Sequence, residues 1–432
     1  SSSSSSVPSR SVSSQSFLDG LDRAAVPDRL GANKSQQVLG DSSLPLSSLV
    51  LRCLSCNLHL VQTLNNFRPS EHLDIRLKLH TGVAAGRLAG CFVGGVAGLW
   101  EYLVAGAPID RMGEAADVAT AGDVVITNEA LQLVSSALVA TEARTLNCSA
   151  VFSITHKPVI FKEKPPPISD SIVEAVKGFV PLVVRKQFEG GGVSSVLAEF
   201  RRVSVMFVKL QDYDYSSASA LPAIQSAVTA VQESVHRWGG TVARLLADDK
   251  GTRFKIAFGM PTTTTENDAA RVVRSALQIQ SMLQTINTKC YIGIATGTVL
   301  CCQAGSSTRC EYTAVGFKVI LAARLMQAAQ KLSNGDEIFI DEETYSFAQK
   351  DQRLRFKERE SVVLKGVAEP VPVICPVRSD SLFTLVDEQA GGYSSYFSDD
   401  NLLAPPFPDN AKPRSTTSTT STAVRSSSSS SS

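Results

Sequence analysis

The side chains that have chemistry open to them fall into a few groups, and spacing decides what most of them do. Cys53 and Cys56 stand three positions apart in an apolar, helix-like stretch. A zinc site needs about four ligands, and no second pair accompanies this one, so the two thiols read as core packing. His80, His156 and His236 are isolated and lack metal-ligand spacing. Asp248 and Asp249 are a carboxylate pair that invites a cation, but Lys250 and Gly251 follow at once, and a polar hairpin turn is the plainer reading. By residue type alone Arg324 is a solvated cation on a helix. Thr313 and Arg244 are strand residues facing water, and Lys365 beside Gly366 marks a turn. None becomes a site without elements that bring it next to another.

Those elements can be read because the sequence repeats itself. Blocks that start at Gly82, Glu101 and Gly122 recur at Gly293, Glu311 and Gly335, at offsets of 211, 210 and 213 residues. A near-constant offset across three blocks implies two related domains in one chain. In the second copy, Arg202 to Leu210 alternates as a strand, and Ala223 to Trp238 has one apolar helical face and stops at Gly239 and Gly240. Thr241–Leu246 and Phe254–Phe258 form a hairpin, and Asp268–Leu283 is a helix capped by Asp268. Cys290–Thr296, Val319–Leu332 and Glu337–Asp341 follow as strand, helix and strand. The order is that of an α+β, ferredoxin-like core. The first copy has a helix over Ser48–Asn65, capped by Ser47 or Ser48, and a strand over Leu77–Ala85, then matches only the later half of the second. The expected organisation is a Ser-rich disordered tail (1–46), the C-terminal half of a first domain (47–165), a linker (166–200), a complete second domain (201–378) and a Ser/Thr-rich disordered tail (379–432).

Composition bounds the function classes. Lys and Arg total 42 against 41 Asp and Glu, which leaves no clustered cationic excess for a nucleic-acid scaffold. An RNA-binding ferredoxin-like module wants paired aromatics on a central strand, and Cys290–Thr296 offers only Tyr291. The longest apolar stretch, Leu88–Trp100, is broken by four glycines and is too short to span a bilayer. Nine scattered cysteines fit a reducing compartment, and a cytoplasmic location is expected.

The ordered series of motifs resembles the class III nucleotidyl cyclases, and among them the soluble, bicarbonate-responsive adenylyl cyclases with tandem catalytic domains. The residues that carry the resemblance are Glu311–Gly316 leading into Leu321–Arg324, Val363–Val367, Asp249-Lys250-Gly251, and the linker pieces Phe161–Pro167 (with the proline run Pro165–Pro167), Val184–Gln187 and Ala198–Arg201. The resemblance implies ATP bound between two head-to-tail domains, two metal ions (Mg²⁺ or Mn²⁺), and attack of the ribose 3′ oxygen on the α-phosphate to give cyclic AMP and pyrophosphate. It assigns the adenine-reading position to Thr313 and puts Arg244 where a base-contacting lysine is usual. Arg324 matches the arginine that stabilises the transition state, and Lys365 matches a phosphate-contacting lysine. The ribose-orienting asparagine position is Ile320, and the first-strand aspartate position is Lys209. The segment that should hold both metal-binding aspartates has no counterpart in the first copy, so the metal ligands are not expected in this chain. The implied partner is a first-type cyclase domain from another chain. The alternative is an inactive cyclase-homology protein that binds nucleotide or a cyclase subunit and regulates it.

Overall fold

The fold is built twice around one device, a helix laid against a strand at a glycine. The computed structural model describes residues 45–378 apart from 73, 156–157, 159–166, 182–183, 186–197, 216, 218, 262, 307–309 and 334–336. The Ser-rich and Ser/Thr-rich ends, most of the proline run and the glycine run at 190–192 lie outside the described residues.

The first unit runs α1 (Leu46–Leu64), β1 (Thr81–Val83), β2 (Ala89–Gly94), β3 (Trp100–Ala105), α2 (Ala107–Asp117), β4 (Val124–Thr127), α3 (Asn128–Val134), β5 (Leu138–Ala143) and β6 (Cys148–Ile154). Its sheet has the order β1-β4-β6-β5, with β1 and β4 parallel and the other pairs antiparallel. Helix α1 starts directly after Pro45, and neither predicted serine caps it with a side-chain bond. The helix begins at Leu46, so both serines lie inside its first turn and Pro45 takes the N-cap position, extended with ψ 141°. The strand at β1 covers only three residues of the predicted Leu77–Ala85 run. Within the stretch expected as linker stands α4 (Asp170–Lys177), where Ser169 Oγ accepts from Ile172 N.

The second unit runs β7 (Glu199–Leu210), α5 (Ala220–Arg237), β8 (Thr241–Asp248), β9 (Gly251–Phe258), α6 (Asp268–Thr285), β10 (Cys290–Gly305), β11 (Cys310–Val315), α7 (Phe317–Leu332), β12 (Ile338–Ile340), α8 (Glu342–Ala348), β13 (Arg355–Val362) and β14 (Val371–Val377). The sheet order is β13-β14-β12-β10-β7-β9-β8, with β11 paired to β10. Its β10-β7-β9-β8 portion, with α5 and α6 as crossovers, is the ferredoxin-like core that the element order predicted. Its other portion, β10-β12-β14-β13, repeats the order of the first unit's sheet. Helix α5 buries Ile224, Ala227, Val228, Val231 and Val235, the face read from its 3.6-residue period. Strand β10 extends nine residues beyond the predicted Thr296, because it goes on pairing with β7 as far as Cys301 and from Leu300 onward also pairs with β11. The cap of α6 is Asn267, whose Oδ1 accepts from Ala270 N at 3.0 Å. Asp268, the predicted cap, is spent on an ion pair with Arg271 at 2.7 Å.

The central sheet is two-faced. Met206, Val208, Phe254, Ile256, Ile292 and Ile294 face α5 and α6, whereas Val203, Val205, Ala295, Leu321, Ala322 and Leu325 form the cluster under α7. A Cβ at Gly293 would lie 2.1 Å from Met326 N and 2.4 Å from Ala322 O, so only glycine admits α7 at this depth. The same contact holds 211 residues earlier: a Cβ at Gly82 would lie 2.3 Å from Met112 O and 2.7 Å from Ala116 N of α2. No helix among the described residues is long and apolar enough to cross a membrane.

Gly293→Ala is therefore expected to destabilise the chain by about 3 kcal/mol, since the methyl meets helix backbone that cannot yield. Gly90→Ala, whose methyl would meet only the swinging hydroxyl end of Tyr102, is expected to cost less than about 1 kcal/mol. Urea unfolding midpoints of the two variants check the contrast.

Candidate active site

Register across the central sheet brings the candidate residues onto one face. Arg244 on β8 is opposite Lys255 on β9, Lys255 is opposite Phe207 on β7, and Phe207 is opposite Gly293 on β10. Directly paired residues point to the same side of a sheet. Because the Gly293 side is the side on which α7 lies, Arg244, Lys255 and Phe207 face the helix that carries Arg324. Thr313 enters from β11: Lys255 Nζ donates to Thr313 Oγ1 at 2.9 Å and to Ala314 O at 3.0 Å. Arg244 Nη1 lies 3.4 Å from Glu311 Oε1, at the first turn of the same hairpin strand. Arg324, half-buried on α7, donates from Nη1 to Gln327 Oε1 at 2.8 Å. Lys365 is exposed in a turn, but its neighbours Leu364 and Val367 pack into the cluster under α7 and keep the turn on that side of the sheet.

Arg244, Thr313, Arg324 and Lys365 thus share a face, though only Arg244 and Thr313 are linked by a short chain of contacts, and that chain runs through Lys255. Lys255 was missed by residue-type reasoning. Its signal was a lone cation in the apolar run Phe254–Phe258, on the strand positions that alternate away from the core.

The Asp248-Asp249 pair behaves as the turn predicted. Lys250 N donates to Asp248 Oδ1 at 2.9 Å, and Gly251 takes φ 84° to close the hairpin. Lys209, at the first-strand position, is buried with its Nζ 3.6 Å from Asp212 Oδ1. A buried ammonium at that position cannot be a metal ligand. No cluster of three or more His, Cys, Asp or Glu able to hold a metal ion occurs among the described residues. Divalent-metal ligation does not fit Lys209 at this first-strand position.

Among the described residues, contacts between the two units include those of the β2–β3 hairpin and of α2. The β2–β3 hairpin docks on α5, where Val93 and Leu103 join the second unit's core. Gly94 N donates to Gln225 Oε1 at 2.9 Å and Gln225 Nε2 donates to Gly94 O at 2.8 Å, while Gln232 bonds Val96 N and Leu99 O. The second contact sets α2 against the β8–β9 turn, where a Cβ on Gly113 would fall 2.1 Å from Asp249 Cβ. At the 210-residue offset, Asp110 and Glu114 of α2 occupy the positions of Ile320 and Arg324 on α7. Burial raises the Asp110 carboxyl above its ordinary range, and Glu114, Asp212 and Asp249 raise it further. Asp249 is raised first by burial, with Asp248 and Asp117 adding and Lys250 opposing.

Residues 196–375 match the adenylate and guanylate cyclase catalytic domain family. This segment is a class III nucleotidyl cyclase domain. The curated relatives include adenylate cyclase type 10 from Rattus norvegicus and from Homo sapiens, each 26% identical and matched over 76% of this chain. The chain spans about a fifth, 22%, of the length of those relatives. Among solved structures, the adenylyl cyclase CyaB from P. aeruginosa is 22% identical, with a TM-score of 0.39 over 42% of this chain and 97% of that one. The guanylyl cyclase Cya2 is 24% identical, with a TM-score of 0.36 over 41% and 93%.

One titration at the junction of this cyclase domain with the first unit is large enough to measure. Glu101 pairs with Val93 across the docked hairpin, and burial raises its carboxyl from the ordinary 4.5 to about 7. The folded state then holds a proton that the unfolded chain has released, so this contribution to stability is full below pH 4.5 and is lost as pH rises through about 7. Relative to wild type, Glu101→Gln is expected to be similar in stability below pH 4.5 and progressively more stable up to about pH 7, with a constant gap above. Chemical denaturation at stepped pH checks this sign.

Proposed function

We propose that residues 201–378 supply the base- and phosphate-contacting side of a nucleotide cyclase site that converts ATP to cyclic AMP and pyrophosphate. In this reading residues 47–165 are the C-terminal half of a first cyclase homology domain and 166–200 a linker. The observation that carries it is the shared face: Arg244 and Thr313 at the hairpin end, Arg324 on α7, and Lys365 in the turn held beside that helix. Thr313 and Arg244 serve the base, Arg324 stabilises the charge that develops as the 3′ oxygen attacks the α-phosphate, and Lys365 contacts phosphate. A guanidinium keeps its charge at any working pH, which suits Arg324 to that task. The name of the relatives, adenylate cyclase, supports ATP over GTP. A cytoplasmic location belongs to the same reading.

Mg²⁺ or Mn²⁺ is part of the activity proposed, and Lys209 stands where a ligand is wanted. The metal ligands therefore come from a first-type cyclase half, on a longer product of this chain or on a partner chain, and these 432 residues alone are inactive. Ile320 and the missing aspartates also favour a second reading, a non-catalytic cyclase-homology protein that binds nucleotide or a cyclase partner as a regulator.

A cyclase assay with ATP and Mn²⁺ or Mg²⁺ separates these readings. The chain alone is expected to give no cyclic AMP, and the chain mixed with a first-type cyclase domain is expected to give product. Arg324→Ala should lower the rate of that mixture by about 10²-fold or more. Product from the chain alone would overturn the incomplete-site claim. No product in the mixture, together with no ATP binding in calorimetry, would overturn the enzyme reading.

A further inference from the structure

Thr313 does not stand alone on the candidate face. Its hydroxyl accepts from the Lys255 ammonium at 2.9 Å, and the same ammonium spans to Ala314 O at 3.0 Å. The next residue across the sheet from Lys255 is Phe207, half-buried on the α7 side. An aromatic ring, a fixed cation and a hydroxyl around one spot are the groups that recognise a heterocyclic base, by stacking and by hydrogen bonds to ring acceptors. Arg244, on the other side of Lys255, is drawn instead toward Glu311 at 3.4 Å. Its planar fork needs more room than an ammonium does, and its carboxylate partner lies at the exposed edge.

We propose that Lys255 is the cation that reads the purine base in this site, acting as one unit with Thr313, and that Arg244 orients Glu311 at the rim. This rests on the nucleotide-site reading above and changes which residue performs its base-recognition step. Lys255 offers only donors, so it meets a ring acceptor of the purine and holds the Thr313 hydroxyl in a set orientation as it does so. The plain structural alternative is that Lys255 is a strut that ties β9 to β11 and has no contact with ligand.

The test is calorimetry on the full chain with two probes, ATP and inorganic tripolyphosphate, the second carrying the phosphates without a base. Lys255→Met is expected to weaken ATP binding about tenfold or more, the scale of one lost charged hydrogen bond, and to leave tripolyphosphate binding within about twofold of wild type. Lys255→Arg, which keeps the charge and a donor to Thr313, guards against a folding defect and should keep part of the ATP affinity. Arg244→Met should change ATP binding by less than Lys255→Met does. Equal losses for both probes in Lys255→Met, with a lowered unfolding midpoint, would establish the strut and overturn the proposal. An unchanged ATP affinity in Lys255→Met, or a larger loss in Arg244→Met, would overturn it also. If wild type binds tripolyphosphate but shows no gain for ATP, base recognition fails while phosphate contact stands. If it binds neither, the nucleotide-site reading itself fails, and the proposal with it.

Discussion

The rest of the structure depends on a helix that sits at backbone distance from a strand. At Gly293 the peptide groups of α7 approach so closely that no side chain fits between them, and at Gly82 the peptide groups of α2 do the same. A helix at that depth is fixed in height and tilt by hard-core repulsion, which varies far more steeply with distance than any polar contact. Everything on α7 inherits that position. Arg324 lies one residue before Leu325, whose carbonyl carbon is 2.7 Å from the Cβ position of Gly293, so its guanidinium starts from a backbone that has little freedom to move.

The docked hairpin shows how two units can share one core without sharing one sheet. Val93 and Leu103 contribute apolar area to the cluster around α5, and burial of that kind is the main source of adhesion. Specificity comes from Gln225 and Gln232, seven residues and two helical turns apart, which satisfy backbone groups at Gly94, Val96 and Leu99. Left unpaired in a buried seam, those groups would cost about 1–3 kcal/mol each. The amides thus discriminate against any other register of the hairpin on the helix.

The fold was largely legible because the sequence states it twice. The repeat related the first unit to the later half of the second, a relation their sheet orders share, and the alternation of Val203, Val205, Phe207 and Leu210 with the apolar face of α5 identified the ferredoxin-like core. The ends of elements were less legible. The cap of α6 fell to Asn267 because Asp268 had a stronger claim on Arg271, a partner 3 residues ahead that a local cap pattern does not weigh. The site was legible only in part. The family resemblance gave Arg324 and Thr313 as motif members, but Lys255 belongs to no motif and acquires meaning only from a cross-strand register. Nor does a one-dimensional reading bring Gly113 to Asp249, since that contact joins residues more than a hundred positions apart.

Asp110 and Glu114, at the positions of Ile320 and Arg324 along the repeat, give the two related helices α2 and α7 opposite electrical character. On the side of the sheet where α7 lies stand Arg324, Arg244 and Lys255. Around α2 stand Asp110, Glu114, Asp117, Asp212 and Asp249, where burial and then the neighbouring carboxylates raise the Asp110 and Asp249 carboxyls. Fields of opposite sign act on a charged group before any contact forms. A chain with a formal charge of only +1 therefore carries a separation of charge that its near-neutral total conceals, and that fades as added salt shortens the reach of both fields.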